Sequence, residues 1–229
     1  MKKNISGRAA KLILTLFAAS IVFAAQAQEF GMEKKDHIGL TGSFGMRSGT
    51  LHSNLSAIDN MNLVNEGGSL GVLWGNKAFE AKLAVGYYYS NIQVAHTTDV
   101  LLAEFSSNFY PIRAITKRAV KVEPYLIGAI AKNYHKLHGY YVGDQSGPIN
   151  YSVSIEPYLG YLDVYNASVG IGVEVSLLDD YDFVKIFADA KYSNPFTTRS
   201  SSAFTQTTVS NQVSFNLGIS FGTNHFSGK

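Results

Sequence analysis

From residue 37 to near the end of the chain, apolar side chains recur at every second position in eight separate runs. They cover 37–47, 68–75, 79–90, 99–110, 120–132, 165–178, 183–192 and 211–222. A period of two belongs to a β-strand, whose successive side chains point to opposite faces. The run at 79–90 is the plainest: Phe79, Ala81, Leu83, Val85, Tyr87 and Tyr89 face one way, and Glu80, Lys82, Ala84, Gly86, Tyr88 and Ser90 the other. Most runs approach the length that a tilted strand needs to cross a bilayer, about 9–11 residues.

The charges decide which face is the outside. The apolar faces occupy even positions in 38–46, 70–74, 122–130 and 184–192, and odd positions in 79–89, 101–109, 165–177 and 213–221. Those positions hold no Asp, Glu, Lys or Arg, although 16% of the chain is charged. The opposite faces hold Arg47, Glu80, Lys82, Glu104, Lys121, Glu123, Glu174, Lys185, Asp189 and Lys191, five of each sign. A soluble ligand-binding barrel would keep its apolar residues inside and charge its exterior. Here one face is uncharged and dominated by aliphatic and aromatic residues while the other is polar and charge-balanced. A charge facing lipid at mid-bilayer costs about 2–4 kcal/mol, so lipid is the solvent that selects such a face. The pattern predicts an all-β chain, an eight-stranded antiparallel up-and-down transmembrane barrel with its apolar face outward.

The connections fit this topology. The second and sixth are tight, the first, fifth and seventh are long, and the third and fourth are of similar moderate length. Short turns at one end and long loops at the other are the outer-membrane pattern. Aromatic residues on the apolar face then sort by height into two girdles, Trp74, Phe79, Phe109 and Phe221 near one rim and Tyr87, Tyr89, Tyr165 and Tyr192 near the other. One region admits a second reading. "KVEPYLIGA" (121–129) and "SIEPYLGYL" (154–162) look alike, so 149–162 is either a further wall strand, which would imply ten strands, or part of an outward hairpin over 139–162. The prolines Pro124 and Pro157 argue against mid-wall positions, because each removes a ladder hydrogen bond.

Residues 1–27 read as a cleaved secretory signal peptide, with Lys2, Lys3, Arg8 and Lys11 before the apolar stretch Leu12–Ala25 and the small-x-small site Ala25-Gln26-Ala27. Residues 28–229 form the single barrel domain. Removing the signal takes four cations from 19 against 17 acids, leaving a net charge near −2 and no case for nucleic-acid binding. The absence of cysteine leaves stability to the fold itself.

The signal peptide, the Gly-rich alternating strands, "VEPYLIGA" and the terminal "VSFNLGISFG" together resemble the small outer-membrane β-barrels of Gram-negative bacteria, the OmpA-like and porin-family barrels. The resemblance implies an outer-membrane location reached through the periplasm, contact with outer-membrane lipid, and insertion by the barrel-assembly machinery. That machinery reads a terminal aromatic, for which Phe221 and Phe226 are the candidates.

Candidate chemistry is sparse. The resemblance brings in lipid A deacylases, which use a His-x-Ser-Asn element, but here Ser193-Asn194 follows Lys191 rather than histidine. The pair reads instead as the start of a turn before Pro195. His135 and His138 lie in the longest loop, and three residues apart they would point to opposite faces, which does not suit metal ligation. No catalytic, cofactor or metal site is expected. The ten inward charges are expected to pair into a network that closes the lumen, since an eight-stranded barrel is only wide enough for side chains to fill. The expected role is non-enzymatic, structural or surface-interacting through the outward loops 48–67, 133–164 and 193–210, toward an extracellular ligand or host surface. The alternatives are a narrow channel for small solutes or ions and, more remotely, a lipid A-modifying enzyme.

Overall fold

A computed structural model of the protein describes residues 37–53, 59–75, 78–93, 96–116, 121–139, 158–177, 184–201 and 207–223. The signal peptide and Phe226 lie outside the described residues. The wall consists of β1 (His37–His52), β2 (Met61–Gly75), β3 (Phe79–Gln93), β4 (His96–Phe109), β5 (Val122–Gly139), β6 (Tyr158–Ser176), β7 (Val184–Ser200) and β9 (Gln212–Thr223). A two-residue strand, β8 (Thr208–Val209), and a short helix, α1 (Pro111–Thr116), lie in the connections. Each wall strand pairs antiparallel with the next, and β9 pairs with both β7 and β1, so the sheet closes on itself with eight strands. Closure leaves no strand edge exposed to lipid.

The predicted registers place the apolar faces outward. Leu70 is 71% exposed, Ile171 64% and Leu217 62%, while inward neighbours such as Glu104, Glu123 and Ser214 are buried. A barrel that turns this many large apolar side chains outward is built for lipid rather than water.

The strands run further than the alternation suggests. β1 continues from 48 to 52, β2 starts at 61, β5 reaches 139, β6 starts at 158 and β7 reaches 200. Most of this extra length lies at the end opposite the chain termini, and there the alternation changes phase. Inward positions become apolar, with Leu51, Leu63, Leu137, Leu162, Val164 and Val209 forming one buried cluster. Outward positions become polar or aromatic: Lys132, Tyr134, Lys136 and His138 on β5, and Asp163 and Tyr161 on β6. Above the bilayer a barrel meets water outside and must fill its interior, which is the pattern of a soluble sheet. A single rule of apolar-outward alternation therefore stops at the membrane surface while the strands do not.

Several expectations change accordingly. The segments 48–52, 61–67, 133–139, 158–164 and 193–200, read as outward loop, are wall strand. The third connection shrinks from a moderate loop to residues 94–95, between Gln93 and His96. The ten-stranded alternative falls, because 158–162 of the second "EPYLG" segment is the start of β6 itself, paired with the far end of β5 (Leu137 opposite Gly160). This is the outward hairpin reading; 140–157 lie outside the described residues. Ser193-Asn194 does not begin a turn. Both sit within β7, and the register shifts where Pro195 stands opposite Asn166, a bulge that accommodates a residue without an N–H.

Candidate functional site: the barrel lumen

Nine of the ten charges predicted to face inward line the lumen. Lys121 does not: it is exposed just before β5 begins. Its place is taken by Arg113, which sequence alternation could not find because it stands on α1 in a connection and not on a strand. The one clue is that the fourth connection, "PIRAITKRA", is as long as the third although it belongs to the end with tight turns. That extra length folds as α1 and carries a buried guanidinium into the barrel mouth.

At this end Arg113 gathers three carboxylates. It donates to Glu123 through Nε and Nη2, Nη2 also reaches Glu174 Oε1, and Nη1 stands 3.7 Å from Glu80 Oε1. Lys185 Nζ donates to Glu174 Oε1 at 2.9 Å and lies 3.6 Å from Glu80 Oε1. The Tyr110 hydroxyl stands 2.8 Å from Glu80 Oε2 and 2.9 Å from Glu174 Oε2, within donating reach of either. Its ring lies under the Arg113 guanidinium at 4.3 Å and packs against Tyr125. Gly172 makes room here, since a Cβ at that position would clash with the hydroxyl end of the Tyr125 ring. All of these side chains except the two tyrosines are charged, and every one is buried.

Further in lies a second tier. Lys191 Nζ donates to Glu104 Oε1 at 2.6 Å, and Arg47 Nη2 approaches Glu104 Oε2 at 3.5 Å while its guanidinium covers the Tyr88 ring at 4.7 Å. Asn216 Nδ2 donates to Asp189 Oδ1 at 2.6 Å. Lys82 stands over the Phe187 ring, its Nζ 5.2 Å from the centroid. Arg47 also ties this tier to an amide belt above it, donating to Asn133 Oδ1 at 3.1 Å, and Thr98 donates to Asn65 Oδ1 at 2.9 Å. With Arg113 in place of Lys121, the described residues bring Arg47, Lys82, Arg113, Lys185 and Lys191 into the lumen against Glu80, Glu104, Glu123, Glu174 and Asp189, still five and five.

Between the two tiers a cavity of about 20 Å³ remains, lined by Lys82, Glu104, Tyr110, Asp189 and Lys191 among others. That is room for a water or two and no more. Above the amide belt the apolar cluster of Leu51, Leu63, Leu137, Leu162, Val164 and Val209 fills the end opposite α1.

No protein-family model and no curated protein matches the chain. Solved structures do. Neisserial surface protein A (NspA) is similar over 84% of this chain and 98% of its own, with TM-score 0.50 and 11% identity. OprG, an outer-membrane protein of Pseudomonas aeruginosa, is similar over 82% of this chain and 95% of its own, with TM-score 0.50 and 12% identity. The fold is that of a small outer-membrane β-barrel. At such identity the likeness speaks for the fold alone, so what this barrel does rests on its own residues.

Those residues place the remaining candidates. The eight aromatic positions sort toward the two ends of the apolar band: Trp74 and Phe221 are exposed at one, Tyr87, Tyr89 and Tyr192 at the other, and Phe109 and Tyr165 are half-buried. Phe79 is buried against Phe109, ring centroids 4.8 Å apart. His135 is not an exposed loop histidine: it faces the lumen on β5 and is buried, whereas His138 faces outward, 3.3 Å from Asp99. No group of metal-ligating side chains occurs among the described residues. The Ser193 hydroxyl is paired with that of Ser168 at 2.7 Å, and Lys191 is held by Glu104, so they form no nucleophile–base pair.

Proposed function

We propose that this protein is a non-enzymatic integral outer-membrane barrel whose closed lumen serves as a rigid support for a surface-facing end. The observation that carries this reading is the filled interior: two ion-pair tiers, an amide belt and an apolar lid stacked along the barrel. A chain that spends ten charges and six apolar side chains on filling its own lumen has built a pillar rather than a pore. The end bearing the lid carries the 53–60, 140–157 and 201–211 connections and faces outward; the end bearing α1 and both chain termini faces the periplasm. Protruding strands hold those connections above the membrane, where an extracellular ligand or host surface meets them.

A planar-bilayer recording on refolded protein tests this directly. The expected result is no steady conductance. A stable open level would favour the narrow-channel alternative, in which Arg113, standing on α1 and not on the wall, is the removable element.

A further inference from the structure

The cations of the strands divide between the two faces. Arg47, Lys82, Lys185 and Lys191 point into the lumen; among the described strand residues only Lys132, Lys136 and Arg199 point outward. These three stand together on β5 and β7, with β6 between them. Lys132 is opposite Tyr165, Tyr134 opposite Asp163 and Lys136 opposite Tyr161, while Asp163 is opposite Arg199 on its other side. Arg199 is therefore level with Tyr134, midway between the lysines. Four residues of strand separate the lysines by roughly 13 Å, and two interstrand steps of about 5 Å lead from β5 to β7.

The surroundings of the three cations point to a ligand. Directly below them the apolar band ends, at Ile130 on β5 and Ala167 on β6. Between them, Tyr134 and Tyr161 stack, ring centroids 5.6 Å apart and 21° from parallel. Lys132 is 43% exposed, with Nζ 3.2 Å from Asp163 and 5.7 Å from the centre of the Tyr165 ring. Among the described residues Asp163 is the one acid between the three cations. Asp99, at its edge opposite Lys136, is engaged by the Tyr87 hydroxyl at 2.8 Å and by His138. The outward face toward the same end of β1 and β2 offers Ser48, Val64 and Glu66 and no Lys or Arg.

We propose that the outward face of β5, β6 and β7 at this level docks the phosphorylated headgroup of an outer-leaflet glycolipid. Lys132, Lys136 and Arg199 take the phosphates, the Tyr134–Tyr161 pair takes a sugar face, and the acyl chains run down the apolar strip of Leu126, Ile130 and Ile171. A cluster this wide, seated against the hydrocarbon boundary, fits a lipid that bears both phosphate and sugar better than a single free phosphate. The proposal rests on the outward orientation given above, and cysteine labelling on cells tests that orientation separately from any lipid measurement.

The test is lipid retention by the refolded full chain in detergent micelles, read by native mass spectrometry. Bis-phosphorylated lipid A is offered first, then its dephosphorylated form, then the phosphorylated form with millimolar inorganic phosphate as competitor. The wild type should retain phosphorylated lipid A at least tenfold better than the dephosphorylated lipid, and inorganic phosphate should not displace it. The K136Q/R199Q double variant should lose at least tenfold of that retention, while K121Q, at the other end of the barrel, keeps it. Equal retention of the two lipids, displacement by inorganic phosphate, or an unchanged double variant would overturn the proposal. Should the double variant fail to fold, the comparison of the two lipids on the wild type decides alone.

Discussion

Arg113 is the residue on which the α1 end of the lumen depends. Among the described residues it and Lys185 are the cations seen to pair with the buried carboxylates Glu80, Glu123 and Glu174, and it touches all three. Removing one partner of a buried ion pair leaves the other uncompensated, typically at about 3–5 kcal/mol. Arg113→Ala is therefore expected to lower unfolding stability in lipid by an amount approaching that range. Lys121→Ala, an exposed cation nearby in sequence, should change it by less than about 0.5 kcal/mol. Urea titration of both variants in the same vesicles makes the comparison, and equal effects would remove Arg113 from its structural role. Glu174 offers a second check on the wall side. It meets Arg113, Lys185 and Tyr110, so Glu174→Ala should destabilise clearly more than Ser176→Ala, two residues further along β6.

At the scale of elements, the feature to test is the change of phase along β5. Within the band, outward positions are apolar, as at Leu126 and Ile130; beyond it they are Lys132, Tyr134, Lys136 and His138, while Leu137 turns inward to the lid. A lysine facing lipid near mid-bilayer costs about 2–4 kcal/mol and close to nothing beyond the interface. Leu126→Lys should therefore lose stability in that range, and Tyr134→Lys, eight residues along the same face, should cost less than about 1 kcal/mol. Similar losses at the two positions would mean that the whole length of β5 lies in one solvent. α1 is the other element whose meaning comes from its surroundings. Six residues form a helix too short to be stable alone, and it is held by burying Arg113 and by the bond from the Tyr110 N–H, just before it, to the Ala78 carbonyl.

For the whole molecule, closure decides which connections share an end. Eight strands return the chain to the end where it entered, so the two ends of the barrel are distinct: one has the termini and α1, the other the lid. Loop length alone distinguishes them less well than the sequence suggested, because only two residues separate β3 from β4 at the lid end while twelve separate β4 from β5 at the α1 end. A cysteine at Asn211, exposed at the end that carries the lid, should be labelled on intact cells by a membrane-impermeant maleimide. One at Ile115, 82% exposed on α1, should be labelled only after the outer membrane is opened. The reverse pattern would turn the barrel over, and with it the outward reading of the lysine patch.

The sequence by itself determined the strands within the bilayer and which face they present to it. Lipid imposes one requirement at every outward position, so the absence of charge from those faces could be read without coordinates. Nine of the inward charges were legible for the same reason, being placed by parity on strands whose outer faces were already assigned. What alternation could not carry was anything beyond the solvent that produced it. Past the membrane surface the outside becomes water, the phase inverts, and strands such as 133–139 and 158–164 read as loop. Nor could parity place Arg113, whose position is set by a helix folding back into a barrel mouth, or pair Glu104 with Lys191, 87 residues apart. Those contacts exist only because closure of the sheet brings distant strands to face one another across a lumen too narrow to hold much water.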